Sequence, residues 1–84
     1  MRIYPFGDAA LVIEFGKETS SEIRQRIRAV MAQLQASPFR GLIEAIPALT
    51  KLTVLYDLQQ TTYPEAEMHV SKLLNMSSAA KPHA

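Results

Sequence analysis

Two carboxylates, Glu14 and Glu44, have predicted positions that could support acid–base chemistry. Each lies in a predicted strand, and the alternation of neighbouring residues places both on one face of the sheet, near each other. A close pair of carboxylates can act as general acid and base. Because no third polar group is predicted to converge on them, solvated carboxylates, or carboxylates bonded to Thr53 or an arginine, are the favoured interpretation.

The histidines are poorly placed for chemistry. His69 and His83 are fourteen residues apart and no cysteine is present, so the sequence predicts no metal site, thiolate nucleophile or disulfide. His69 follows Glu65 by four residues on a predicted helix, and a pair within that helix is the favoured interpretation. A triad of Ser71, His69 and Asp57 is disfavoured because the sequence contains no Gly-x-Ser-x-Gly turn.

Arg24 and Arg28 lie one turn apart on the first predicted helix. They form a basic edge that could meet an acidic partner, although a solvated face is the more common role of such residues.

Gly7 and Asp8 form a predicted hairpin turn, in which Asp8 either accepts bonds from local backbone amides or contacts a substrate or partner. The three glycines are scattered along the chain, so no phosphate-binding loop is predicted.

These residues are positioned by elements in the order ββαββα. Alternating or β-branched segments predict strands at residues 2–6, 11–15, 42–48 and 51–57. Capping boxes at residues 19–22 and 62–65 predict the starts of two helices, the first of which ends near Ala36. Each helix carries one apolar stripe, so both can cover the same face of the sheet. The predicted fold class is therefore α+β, a two-layer sandwich of a four-stranded sheet with two helices on one face.

The apolar pattern separates a core from a bare sheet face. The predicted core contains Leu11, Ile13, Phe15, Ile23, Ile27, Val30, Leu34, Ile43, Val54, Val70 and Leu73. By alternation, the bare face carries Val12, Leu42, Ile46 and Leu55, bordered by Glu14, Glu44 and Thr53. This partly apolar face is the predicted partner-binding surface, with Arg24 and Arg28 as further candidates.

Composition limits the protein to one small domain. The 84 residues are 48% hydrophobic and 20% charged, which argues against disorder. Nine basic residues balance eight acidic ones and only six residues are aromatic, so no nucleic acid and no membrane is expected as a partner. No segment has the length of a membrane span or the pattern of a signal peptide, which predicts a cytoplasmic protein.

Three segments carry a family resemblance: YPFGDAALVIEFG at residues 4–16, GLIEAIPA at 41–48 and LTVLYD at 52–57. They resemble the KipI family, whose members are also called the B subunit of 5-oxoprolinase and were formerly called allophanate hydrolase subunit 1. The resemblance implies that residues 1–76 form the N-terminal α+β domain of such a protein. Residues 77–84 show no periodicity and are expected to be a disordered tail or a truncated interdomain linker. At residues 49–51 the sequence departs from the family, in which many members have an aromatic residue followed by Arg-Ser.

The resemblance implies two roles from different classes. One is a protein-interaction domain that inhibits autophosphorylation of a sporulation sensor histidine kinase. The alternative is the non-catalytic N-terminal part of the B subunit of ATP-dependent 5-oxoprolinase, which acts with the A and C subunits to convert 5-oxoproline to glutamate. A domain that only orients a neighbouring domain is a third possibility. The lack of a catalytic group of residues in the sequence favours the interaction role.

The resemblance also implies partners and cofactors. The expected partners are the sensor histidine kinase, the KipA-type protein that forms the C subunit of 5-oxoprolinase, and a second, cyclophilin-like domain of the same chain. No cofactor is expected in this domain, and ATP is expected only in the full complex. Full-length relatives form part of an amide-hydrolysing enzyme, whereas this domain alone is not expected to be an enzyme.

Overall fold

Four strands and two helices follow one another in the predicted order. The computed structural model describes the backbone of residues 2–80 and the side chains of residues 2–75. The elements are β1 (Arg2–Pro5), β2 (Ala10–Glu14), α1 (Ser21–Ala36), β3 (Leu42–Ala48), β4 (Lys51–Tyr56) and α2 (Tyr63–Ala80). The α+β class and the ββαββα order are confirmed.

The strands form one sheet in the order β1-β2-β4-β3, and every neighbouring pair is antiparallel. Because β4 lies between β2 and β3, the connection through α1 crosses over β4. The two hairpins predicted from the turn residues are both formed. β1 is an edge strand, so Pro5, which has no N–H to donate, costs the sheet no hydrogen bond.

Helix α1 begins one residue later than its predicted capping box requires. Ser20 has an extended backbone, and its Oγ accepts a hydrogen bond of 3.1 Å from the backbone N–H of Ile23. Ser20 is therefore the N-cap, and the prediction that Thr19 caps the helix with Glu22 three residues on is wrong. The predicted end at Ala36 is confirmed.

Helix α2 begins with the predicted reciprocal capping box. The backbone N–H of Glu65 donates to Thr62 Oγ1 at 3.4 Å, and the backbone N–H of Thr62 donates to Glu65 Oε1 at 3.3 Å. Thr61 Oγ1 donates to the same carboxylate oxygen at 3.2 Å. The helix continues to Ala80, past the predicted domain end at residue 76. Residues 81–84 of the predicted tail lie outside the described residues.

Replacing Thr62 with alanine should lower the free energy of unfolding by about 1 kcal/mol, since it leaves an N-terminal amide of α2 without its acceptor. Urea unfolding followed by circular dichroism measures the change. Thr62→Ser keeps the hydroxyl and is the matched control, with an expected loss well below that of Thr62→Ala. Equal unfolding midpoints for the alanine variant and the parent would contradict the assigned cap.

A single core lies between the helices and one sheet face. Its largest fully buried members are Tyr56, Leu11, Ile13, Leu34, Leu52, Val30, Val54 and Val70. Most of the predicted core is confirmed, although Ile23 packs only at its margin. The prediction did not include Phe39, Leu52, Tyr56, Ala66 and Leu74, which are also buried.

The predicted orientation of the start of β3 is wrong. Ile43, predicted in the core, is 63% exposed, whereas Leu42, predicted on the bare face, packs against the core. A β-bulge between Leu42 and Glu44 adds one residue to this strand. Since side chains alternate with a period of two, one extra residue reverses the faces of the residues that precede it.

Burial makes the core sensitive to alkali. Tyr56 is 1% exposed, and burial raises its pKa above the ordinary value of 10.0. For Tyr63 burial, and then the Glu67 carboxylate, raise the pKa in the same direction. Because the folded state favours the neutral phenol, this stabilisation is fully present below about pH 10 and is lost as the pH rises through the raised pKa.

Tyr56→Phe should therefore retain more of its stability than the parent between about pH 10 and pH 11. The variant has no phenol to ionise at this buried site, so its free energy of unfolding should fall less steeply over that interval. Urea unfolding at about pH 8 and again at about pH 11 measures the difference. An identical alkaline loss in parent and variant would show that Tyr56 does not contribute to it.

Candidate functional site: the outer face of the sheet

The outer face is the side of the sheet turned away from the two helices. The cross-strand register aligns its residues in three rows: Arg2, Glu14, Lys51 and Ala48; Tyr4, Val12, Thr53 and Ile46; and Ala10, Leu55 and Glu44. Directly opposed residues on one face are close enough for their side chains to contact one another. The register therefore brings five of the predicted partner-binding residues, Val12, Glu14, Glu44, Ile46 and Leu55, onto one surface.

The centre of the outer face is apolar. Val12 and Ala10 are only 4% and 5% exposed, although they lie outside the core cluster. Ile46 is 42% exposed, and Tyr4 and Leu55 are half-buried. Val12 therefore supports this surface from beneath, while Tyr4, Ile46 and Leu55 present the apolar area that another molecule can contact.

Tyr4 and Arg2 belong to this surface and were missing from the predicted set. Arg2 Nε donates to Glu14 Oε1 at 3.0 Å, and the Arg2 guanidinium lies 5.0 Å from the centre of the Tyr4 ring. The hairpin turn at Gly7 and Asp8 was the available signal, because a hairpin centred there pairs Tyr4 with Val12. The outer face thus has a charged row at one end and an apolar centre.

Glu14 and Glu44 share the outer face but do not form a pair. Glu14 lies in the first row on β2 and Glu44 in the last row on β3. This separates them by two strand spacings, roughly 10 Å, and by roughly 13 Å along the strands. The predicted proximity is wrong, because it depended on the strand order. The carboxylates are too far apart to act together as acid and base.

Arg24 and Arg28 lie in the other layer of the molecule, on α1 beside the tip of the β3–β4 hairpin. The predicted partner-binding residues therefore fall in two separate places. In the hairpin turn, Gly7 has a φ of 74°, a left-handed conformation that glycine adopts without strain. Asp8 is exposed, and within the described residues its carboxylate makes no hydrogen bond.

His69 has a structural partner other than the predicted Glu65. Its Nε2 donates to the backbone carbonyl of Ser37 at 3.0 Å, and its ring lies 5.4 Å from that of Phe39. Glu65 is unavailable because its carboxylate completes the α2 cap. His69 therefore ties α2 to the end of α1.

The part of the chain that the structure describes contains no group of metal-ligating side chains and no helix that could span a membrane. Among these residues, no three histidine or carboxylate side chains are grouped as metal ligands. Neither α1 nor α2, over its described length, is long and apolar enough to cross a membrane.

The sequence matches one protein family and a relative of known name. Residues 1–84 match the family described as "Carboxyltransferase domain, subdomain C and D". Over 59 residues, 70% of the chain, the sequence is 41% identical to the B subunit of 5-oxoprolinase from Bacillus subtilis. The chain spans 25% of the length of that relative.

Two solved structures share the fold. An uncharacterised conserved protein of Pyrococcus horikoshii superposes with a TM-score of 0.81 at 33% identity, over 86% of this chain and 33% of the other. The N-terminal domain of the histidine kinase inhibitor KipI from Bacillus subtilis superposes with a TM-score of 0.76 at 30% identity. That match covers 89% of this chain and 84% of the KipI domain.

Proposed function

Because the chain belongs to the carboxyltransferase subdomain C and D family, as a domain of the type found in KipI and in the B subunit of 5-oxoprolinase, we propose that it is a protein-interaction domain. It binds a partner protein through the outer face of its sheet. The observation that carries this proposal is the set of accessible apolar side chains on that face: Tyr4 on β1, Leu55 on β4 and Ile46 on β3. Both helices lie on the opposite side, where their apolar stripes are used by the core.

The physical argument is that a sheet face of this kind is costly to leave in water. Antiparallel sheets commonly pack one face on a core and expose a polar second face. Here the second face exposes apolar side chains on three of its four strands, and an exposed apolar patch of this kind on a small domain is typical of an interaction site. The charged row of Arg2, Glu14 and Lys51 borders the patch on one side, as polar rims border protein interfaces.

The favoured partner is a sensor histidine kinase whose autophosphorylation the domain inhibits. This choice is supported by the likeness to the N-terminal domain of a histidine kinase inhibitor, of which the chain covers 84%. Inhibition would follow from occupying the kinase surface, without a chemical step in this domain. A cytoplasmic location is part of the proposal, since the catalytic parts of such kinases lie there.

A second candidate is the non-catalytic N-terminal part of the B subunit of ATP-dependent 5-oxoprolinase. The 41% identity to such a protein favours it. In this role the domain acts with the A and C subunits, and the outer face binds either the C subunit or a cyclophilin-like second domain. ATP and 5-oxoproline are then bound only by the assembled complex.

Nuclear magnetic resonance titration tests the proposal. The ¹⁵N-labelled chain is titrated with the dimerisation domain of a sensor histidine kinase and, separately, with the C subunit of 5-oxoprolinase. A binding partner should shift the amide resonances of Tyr4, Ile46 and Leu55, and the partner that does so decides between the two roles. Absence of shifts with both proteins, or shifts confined to α1 and α2, would overturn the assignment of the outer face.

A further inference from the structure

A second surface lies in the helical layer, between α1 and the tip of the β3–β4 hairpin. It is an open cavity of about 380 Å³, called here the α1–hairpin groove. Its lining includes Arg24, Ile27, Arg28, Met31, Pro47 and Leu49. The floor is therefore apolar and two guanidinium groups stand on the α1 side.

The groove continues along the helix. A second cavity, of about 320 Å³, shares Met31 with the first and extends along α1 to Gln35, beside Leu42 and Ala45 of β3. From Arg24 to Gln35 the helix rises roughly 17 Å, which is about three helical turns. A short helix laid parallel to α1 has the length to fill both cavities.

Within the described part of the chain, the two arginines at the groove have no carboxylate partner. Both are exposed, and neither forms a salt bridge within the described residues. Two other arginines are engaged, since Arg2 pairs with Glu14 and Arg26 lies 5.9 Å from the Phe15 ring. Among the described residues, no acidic side chain lines the cavity beside this pair. Glu44 also borders the second cavity, but the strand register places it on the outer face. The groove is thus basic at the end formed by Arg24 and Arg28.

Leu49 adds an apolar contact at the rim of the groove. It is 80% exposed, and its φ of 52° lies in the left-handed region that bulky side chains rarely adopt. An asparagine or glycine would be better accommodated in the folded chain. Strained residues of this kind cluster at binding surfaces. The position of Leu49 beside the free arginines indicates an apolar side chain held out for a partner.

We propose that the α1–hairpin groove binds an amphipathic helix of a partner protein. The apolar face of that helix packs on Met31 and Leu49, and two of its carboxylates, one turn apart, pair with Arg24 and Arg28. Charge complementarity selects this occupant, because arginine pairs strongly with carboxylates and an apolar groove accepts the stripe of an amphipathic helix. This site is separate from the outer face and does not depend on the proposed function.

The test uses two peptides of the same length, about 15 residues, that differ only at two positions. Both carry leucine every three or four residues on an alanine background. The first has two glutamates one turn apart beside the leucine stripe. The second has lysines at the same two positions. Each carries a fluorescein label, and binding to the full chain is measured by fluorescence anisotropy.

The parent chain should bind the first peptide at least about tenfold more tightly than the second. The double variant Arg24→Glu with Arg28→Glu should reverse this preference. Lys72→Glu makes the same kind of charge change on α2 and is the matched control, which should leave the preference unchanged. Equal binding of both peptides, binding of neither, or an unchanged preference in the double variant would overturn the proposal.

Leu49→Asn separates binding from folding. This variant should bind the first peptide at least about fivefold more weakly, while its thermal unfolding midpoint stays the same or rises because asparagine tolerates the left-handed conformation. Unaltered peptide affinity in this variant would overturn the proposed contact of Leu49 with the partner helix.

A second copy of the chain is the other possible occupant of the groove. Analytical sedimentation of the parent and of the double arginine variant tests it. Self-association of the parent that is lost in the double variant would assign the groove to a second copy and overturn the proposal.

Discussion

Replacing Ile46 with glutamate should weaken binding of the partner protein at the outer face by at least about tenfold, with the domain still folded. Ile46 is 42% exposed and lies on the face turned away from the core, so the new carboxylate remains in water in the free protein. In the complex it would be buried without a partner, which is costly. Isothermal titration calorimetry measures the affinity, and thermal unfolding shows that the fold is retained.

Two arginine variants are the controls for this prediction. Arg24→Ala and Arg28→Ala change α1 and should alter the affinity of the outer-face partner by no more than about threefold, since they lie outside that interface. Leu55→Glu, on the same face as Ile46, should repeat the loss. If the arginine variants lose binding while Ile46→Glu retains it, the partner occupies the α1–hairpin groove and the outer face is the wrong surface.

Replacing Ile27 with alanine should lower the free energy of unfolding by about 2–5 kcal/mol. Ile27 is 4% exposed in the middle of the apolar stripe of α1, so truncation leaves a cavity between the helix and the sheet. A chain of this length has a total stability of only about 4–12 kcal/mol. The variant should therefore lose a large share of its stability, and urea unfolding measures the loss.

Gln25→Ala is the matched control for Ile27→Ala, because it removes a side chain of similar length from an exposed position on α1. Its expected effect is within about 0.5 kcal/mol. Similar unfolding midpoints for Ile27→Ala and the parent would show that the apolar stripe of α1 does not carry the core.

Local sequence patterns were sufficient to predict the helices, the strands and most of the core residues. The capping box at Thr62 and Glu65 identified the start of α2, and the β3–β4 hairpin was predicted with nearly its observed ends. Such features depend on residues only a few positions apart, so their hydrogen bonds and side-chain periodicities are readable from the sequence. The one-residue error at the N-cap of α1 arose where three successive residues, 19–21, all carry hydroxyl groups.

The sequence by itself determined the α+β class, the two helices, the apolar stripes and the existence of an outer face. Only the tertiary structure decided the strand order, which separates Glu14 and Glu44 by two strand spacings, and the bulge that turns Leu42 inward and Ile43 outward. It also decided that His69 bonds Ser37 and that Arg24 and Arg28 border a groove beside Leu49. These features join residues distant in the chain, and their geometry depends on strand register and helix packing, which no local periodicity specifies.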